Sequence, residues 1–183
     1  MKRRQFLQGT AAAALFAPAM AQQAFAQGAS ATVLMLAPQA NLTSLDPIWT
    51  TATVTNNHGY YIFDTLYGGD LDLKPQPQMA EGHETSADGK VWKIKLREGL
   101  AFHDGQPVRS ADCIQSLKRW CQRDPYGQLL AKAVEAWNAP DERTIEIKLT
   151  RPFPMMLDCL AKADNPPFIM PERLAQTDAT KQI

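Results

Sequence analysis

Apolar and polar positions alternate most cleanly at Trp92-Lys93-Ile94-Lys95-Leu96-Arg97. A period of two places three apolar side chains on one face and three cations on the other, which predicts a half-buried strand. A slip of one residue would bury the cations, so the pairing is strongly specified and the charge run is a solvated face. Asp88-Gly89 is a turn signal ahead of this strand, and the stretch from Met79 supplies the other arm of a hairpin. Thr144-Ile145-Glu146-Ile147-Lys148-Leu149 repeats the alternation after a turn at Ala139-Pro140-Asp141-Glu142.

The period changes elsewhere. Cys113, Ile114, Leu117 and Cys121 form the apolar stripe of a helix, with Lys118, Arg119 and Gln122 outside. Ser110 is placed to cap it, Asp112 complements the dipole in the first turn, and Asp124-Pro125 ends it. A second helix is expected over Thr53 to Tyr67, with Val54, Tyr61, Ile62, Thr65 and Leu66 on one side and Gly68-Gly69 as the stop. Shorter helices are expected from Gln128 to Val134, from Met155 to about Leu160, and from Pro171 onward. Thr32 to Ala37 is a continuous apolar run suited to a strand buried on both faces. Leu71 and Leu73 flank Asp72 in a short strand-like piece, and Phe168-Ile169-Met170 is a further strand candidate. Helices and strands at both hairpin and crossover spacing make the class α/β with a mixed sheet.

The first residues read as a targeting segment. Lys2-Arg3-Arg4 precedes an alanine-rich apolar run, and Ala24-Phe25-Ala26 has the small-x-small form of a cleavage site. Residues 1–26 are therefore expected to be a signal peptide, and Arg3-Arg4-Gln5-Phe6-Leu7 resembles a twin-arginine export motif. Lys+Arg and Asp+Glu both number 19, so losing the three leader cations leaves the remainder mildly acidic, which disfavours nucleic acid as a partner. No later run is long and apolar enough to span a bilayer. Cys113 and Cys121 are separated by about 12 Å of helix rise, too far for a disulfide, so the three cysteines read as small buried hydrophobes. His58, His83 and His103 have no metal-ligand spacing, and no phosphate loop or nucleophile elbow occurs, so neither metal nor cofactor is expected.

Six separated blocks carry a resemblance. They are Ser44-Leu45-Asp46-Pro47, Ile62-Phe63-Asp64-Thr65-Leu66, Pro75 to Ala80, the long segment from Met79 to Cys113, Thr150 to Pro154, and Phe168-Ile169-Met170-Pro171. Together they resemble the family 5 extracellular solute-binding proteins, the dipeptide, oligopeptide and nickel receptors of ABC importers. The resemblance implies a periplasmic binding protein type II fold, here truncated. Residues 27–74 would be the first part of lobe I, and residues 75–183 an inserted small domain with a partial return toward that lobe. It also implies a periplasmic, monomeric protein that captures short peptides or a similar small polar solute and delivers it to an inner-membrane permease. Nickel chelates, opines, glutathione-like conjugates and oligosaccharides are alternative solutes. A twin-arginine-exported redox enzyme is the rival from another class.

The same resemblance nominates ligand contacts. Trp49, Thr50, Thr51 and Thr55 follow Asp46-Pro47 where family members line the cleft, and Arg123 and Tyr126 fall near a stretch that contributes an aromatic to it. The plainer expectations are a surface loop with a helix start for the first four, and a helix end with a capping cation for Arg123. Asp46 and Asp64 are read as a turn former and a helix-end residue.

Overall fold

The hairpin forms where the alternation requires it. The structure, a computed structural model, describes residues 35–183. Strand β3 (Ala80–Thr85) pairs antiparallel with β4 (Val91–Leu96) across the Ser86–Gly89 turn, where Gly89 adopts φ 69°. That left-handed conformation is easy for glycine and costly for other residues. Strand β6 (Thr144–Leu149) pairs with the other edge of β4, and β5 (Val134–Asn138) closes the sheet in the order β3-β4-β6-β5. Ile94 faces Ile145 and Trp92 faces Ile147 across the strands, while Lys93 and Lys95 remain exposed. Every ladder among the described residues is antiparallel.

Helix α2 (Ser110–Arg123) covers the apolar face of this sheet. Cys113 and Leu117 pack into the same buried cluster as Ile94, Leu96, Ile145, Ile147 and Leu149. Ser110 does not cap the helix. It is the first helical residue and its hydroxyl donates to the Asp141 carbonyl, while the Asp112 carboxylate accepts from the Arg109 amide at 2.8 Å. Arg119 is not outside either; only 1% of it is exposed. A helix wrapped by sheet and loops on several sides needs more buried positions than one apolar stripe supplies, and a paired cation fills one of them.

Helix α3 (Pro125–Ala131) starts and ends earlier than the expected Gln128–Val134, because Asp124 caps it by accepting from the Tyr126 and Gly127 amides. Val134 belongs to β5, a strand the periodicity did not reveal. Helix α1 (Thr53–Ile62) ends five residues before Tyr67. Phe63 turns extended, the Asp64 carbonyl accepts from the Ile169 amide, and Tyr67–Gly69 becomes strand β1, paired with β2 (Pro75–Pro77). The buried face of α1 is Val54, Thr55, Asn56 and Gly59, whereas Tyr61 and Ile62 are exposed. Gly59 suits this face, since a Cβ there would lie 2.8 Å from the Phe168 ring. Leu71 and Leu73 are the exposed tip of the β1–β2 hairpin, whose loop is tied by three bonds to the Asp70 carboxylate.

Short helices α4 (Met156–Leu160) and α5 (Glu172–Ala175) match their expected positions. Residues 1–34, including the signal-peptide reading and Thr32 to Leu34, lie outside the described residues. Met35, Leu36 and Ala37 are irregular and exposed. A strand buried on both faces needs a neighbour on each edge, and among the described residues these three take part in no ladder. No helix among the described residues is long and apolar enough to cross a membrane.

All three cysteines are buried and unbridged. Burial pushes the Cys113 thiol far above its ordinary range, Cys121 up to about 12 and Cys159 up to about 11. Thiolate is the reactive species, so the folded protein should resist a thiol-specific disulfide reagent at about pH 8, close to the free-cysteine pKa. All three thiols should titrate once denaturant is added. Rapid modification of the native protein would refute this packing.

Candidate functional site

The stretch after Pro47 is built around one carboxylate. Asp46 Oδ1 accepts from the Ile48 and Trp49 amides at 3.1 and 3.2 Å, folding the chain back on itself. The same oxygen accepts from Arg119 Nη1 at 3.0 Å, and Oδ2 accepts from Arg119 Nη2 at 2.7 Å. Neither partner is more than 1% exposed. Burial alone would raise the Asp46 carboxyl, but the Arg119 fork and charge more than offset it and hold the group below the usual carboxylate range. Arg119 also donates to the Thr177 and Lys181 carbonyls, bringing the Thr177–Ile183 segment against the loop.

This frame fixes Trp49. Its amide is held by Asp46, its indole Nε1 donates to the Thr180 carbonyl at 3.1 Å, and its carbonyl accepts from Arg123 Nη2 at 3.0 Å. Two nominated residues, Trp49 and Arg123, are thus in direct contact. Thr50 is half-buried with its hydroxyl accepting from the Ala52 amide, and Thr51 is exposed beside it. Thr55 is different: it is 1% exposed, and its hydroxyl donates to the Ser44 carbonyl within the protein.

Tyr126 sits in a second cluster at the start of α3. Lys162 Nζ lies 5.1 Å from the centre of its ring and also pairs with the buried Asp124 carboxylate. The cation therefore covers one aromatic face while Tyr126 stays 44% exposed. From Lys162 the chain passes to Ala163, whose carbonyl accepts from Tyr60 at 2.6 Å and Asn56 at 3.5 Å on helix α1. The rim thus runs from Trp49 through Arg123, Asp124 and Lys162 to Tyr60. Lys162, Tyr60 and Asn56 were not legible as neighbours of the nominated residues. The only sequence hint of the deeper frame was a carboxylate at Asp46 set between Leu45 and Ile48 with no local cation.

A separate groove of about 730 Å³ opens between the end of α1 and the Phe102–Gly105 turn. Tyr61, Ile62, Phe102 and Leu174 line it, with the Asp104–Arg173 ion pair among its walls, and none of the nominated residues does. Among the described residues no group of three His, Cys, Asp or Glu side chains gathers to hold a metal.

Comparison with known proteins identifies the scaffold. Residues 74–182 match the family model described as bacterial extracellular solute-binding proteins, family 5 Middle. A probable peptide ABC transporter periplasmic-binding protein of Sinorhizobium fredii is 38% identical over 183 residues, covering 100% of this chain and 34% of that protein. The glutathione-binding protein GsiB of Escherichia coli strain K12 is 31% identical, covering 88% of this chain and 31% of that protein. The solved structure of AgaA in complex with agropinic acid, from A. tumefaciens R10, superposes with a TM-score of 0.62 at 30% identity, covering 73% of this chain and 27% of that one. The chain belongs to family 5 of the bacterial extracellular solute-binding proteins. It spans about a third of the length of the curated relatives it matches.

The depressed Asp46 carboxyl gives a pH signature. Its stabilising contribution is complete above the unfolded-state carboxylate pKa of about 3.9 and is lost as pH falls through the lower folded value. The stability gap between the native protein and Asp46→Asn should therefore be constant near neutrality and shrink below about pH 4, as measured by urea unfolding across pH. A gap independent of pH down to acid unfolding would contradict an ionised Asp46.

Proposed function

We propose that this chain forms part of the solute-capturing component of an ABC importer, presenting its ligand to an inner-membrane permease without performing chemistry on it. The observation that carries this reading is the meeting of Trp49, on a loop pinned from within by Asp46, with Arg123 at the end of α2, in a member of a solute-binding family. A binding surface gains affinity when its contacts are ordered beforehand, and Trp49 has its amide, carbonyl and indole N–H all engaged. The side chain is half-buried, and in this reading its indole stacks on the solute. Thr50 and Thr51 offer hydroxyls beside it, Arg123 offers positive charge, and Tyr126 offers an aromatic edge. Thr55 serves the site from beneath, since its hydroxyl ties α1 to the Ser44 carbonyl.

The solute we favour is a short peptide or a similar small polar molecule. The relative named for peptide transport supports this, and those named for glutathione and agropinic acid keep other small polar solutes within the class. In this reading residues 1–26 export the chain through the twin-arginine route and are removed near Ala26. Residues 27–74 begin the first lobe, residues 75–183 form the inserted domain with a partial return, and the protein acts as a periplasmic monomer. A polypeptide of these residues alone spans about a third of its relatives' length, so in isolation it should bury only part of a ligand.

Two experiments test this reading. Titrating the leader-free chain with dialanine, glutathione and agropinic acid, followed by amide and indole NMR, should move the signals of Trp49, Thr50, Thr51 and Tyr126. Trp49→Ala should abolish the response. No response at millimolar solute, or shifts confined to the β3–β6 sheet, would overturn the site. For export, Arg3→Lys with Arg4→Lys should leave the precursor in the cytoplasm, whereas undiminished export would reject the twin-arginine route.

A further inference from the structure

We propose that Arg119 is the positioning residue of the Trp49 loop, locking it and the Thr177–Ile183 segment into one unit that opens and closes together. Its importance for ligand capture rests on the function proposed above, but its geometry does not.

Two chain segments far apart in sequence share one set of bonds centred on a buried ion pair. Arg119 projects from the middle of α2, an element fixed against the sheet. Its Nε donates to the Thr177 carbonyl at 3.0 Å and its Nη2 to the Lys181 carbonyl at 2.9 Å. The remaining fork is bidentate on Asp46. Asp46 in turn holds the loop through the Ile48 and Trp49 amides, and it accepts from the Ile183 amide through Oδ2. A direct crossbar completes the arrangement, because the Trp49 indole donates to the Thr180 carbonyl.

Such a network has few partial states. Withdrawing Asp46 with its loop would leave the buried Arg119 guanidinium without its counter-ion, so lifting the loop is costly while the guanidinium stays bonded to the segment. Lysine could preserve the charge but not the planar fork that meets a carboxylate and two carbonyls at once. Displacement of Trp49 by a solute would therefore be felt at Thr177–Ile183, and movement of that segment would loosen Trp49.

The test needs no ligand, so its outcome is independent of whether Trp49 touches one. Hydrogen exchange at the Ile48 and Trp49 amides, the Trp49 indole N–H and the Arg119 Nε–H would be followed by NMR on the full chain. The proposal predicts protection factors agreeing within about threefold, the mark of one shared opening. Arg119→Lys should lower all the remaining ones together, by one common factor of about tenfold or more. A second variant covers failure of that one to fold. Arg123→Met removes only the bond to the Trp49 carbonyl, yet it should also speed exchange at Arg119 Nε, which Arg123 does not touch. Unrelated protection factors in the native protein, or an Arg123→Met effect confined to Trp49, would overturn the proposal.

Discussion

A carboxylate and a guanidinium buried side by side set the terms for this fold. Each ion carries a desolvation penalty of several kcal/mol, roughly, which mutual attraction offsets only when the remaining hydrogen-bonding capacity is also satisfied. Asp46 and Arg119 meet that condition. The carboxylate accepts from three backbone amides and the fork, and the guanidinium spends its other N–H groups on two backbone carbonyls. Hydrophobic residues of similar volume could fill the same space. They could not also pin the Ile48–Trp49 turn and the Thr177–Ile183 segment, which have no regular secondary structure of their own to satisfy their backbone groups.

The rest of the candidate site follows from that frame. The antiparallel sheet seats α2, and α2 delivers Arg119 inward and Arg123 to the surface one turn later. The break at Asp124 then uses a single side chain twice, as cap for α3 and as counter-ion for Lys162, so the turn that ends one helix also orients Tyr126. The surface proposed to bind solute sits on loops but inherits the rigidity of the elements beneath it. That is the property a capture protein needs, because ordering of the contacts is completed before the ligand arrives.

The sheet was readable from the sequence because its alternation leaves one register that keeps Lys93, Lys95 and Lys148 in water. The α2 stripe was readable for a similar reason. The failures occur where tertiary contacts outweigh local pattern. Tyr61, Ile62, Thr65 and Leu66 fall at helical spacing, but Ile169 offers Asp64 a bridge partner and the chain leaves the helix at Phe63. Ser110 has the chemistry of a cap, yet the Asp141 carbonyl takes its hydroxyl and Asp112 supplies the carboxylate instead. Arg119 looked solvated because nothing near it in sequence could neutralise it; its partner lies 73 residues away. Trp49, Thr50, Thr51, Arg123 and Tyr126 could be nominated only through family resemblance, since their grouping depends on that same long-range pair.

The most direct measure of this account is a double-mutant cycle of Asp46→Asn, Arg119→Met and the combined variant, followed by urea unfolding. Each single change should cost about 3–5 kcal/mol by stranding a buried partner, and the combined change distinctly less than the sum, with a coupling of about 2 kcal/mol or more. Strictly additive losses would show that the two groups act separately and that the loop is held by something else.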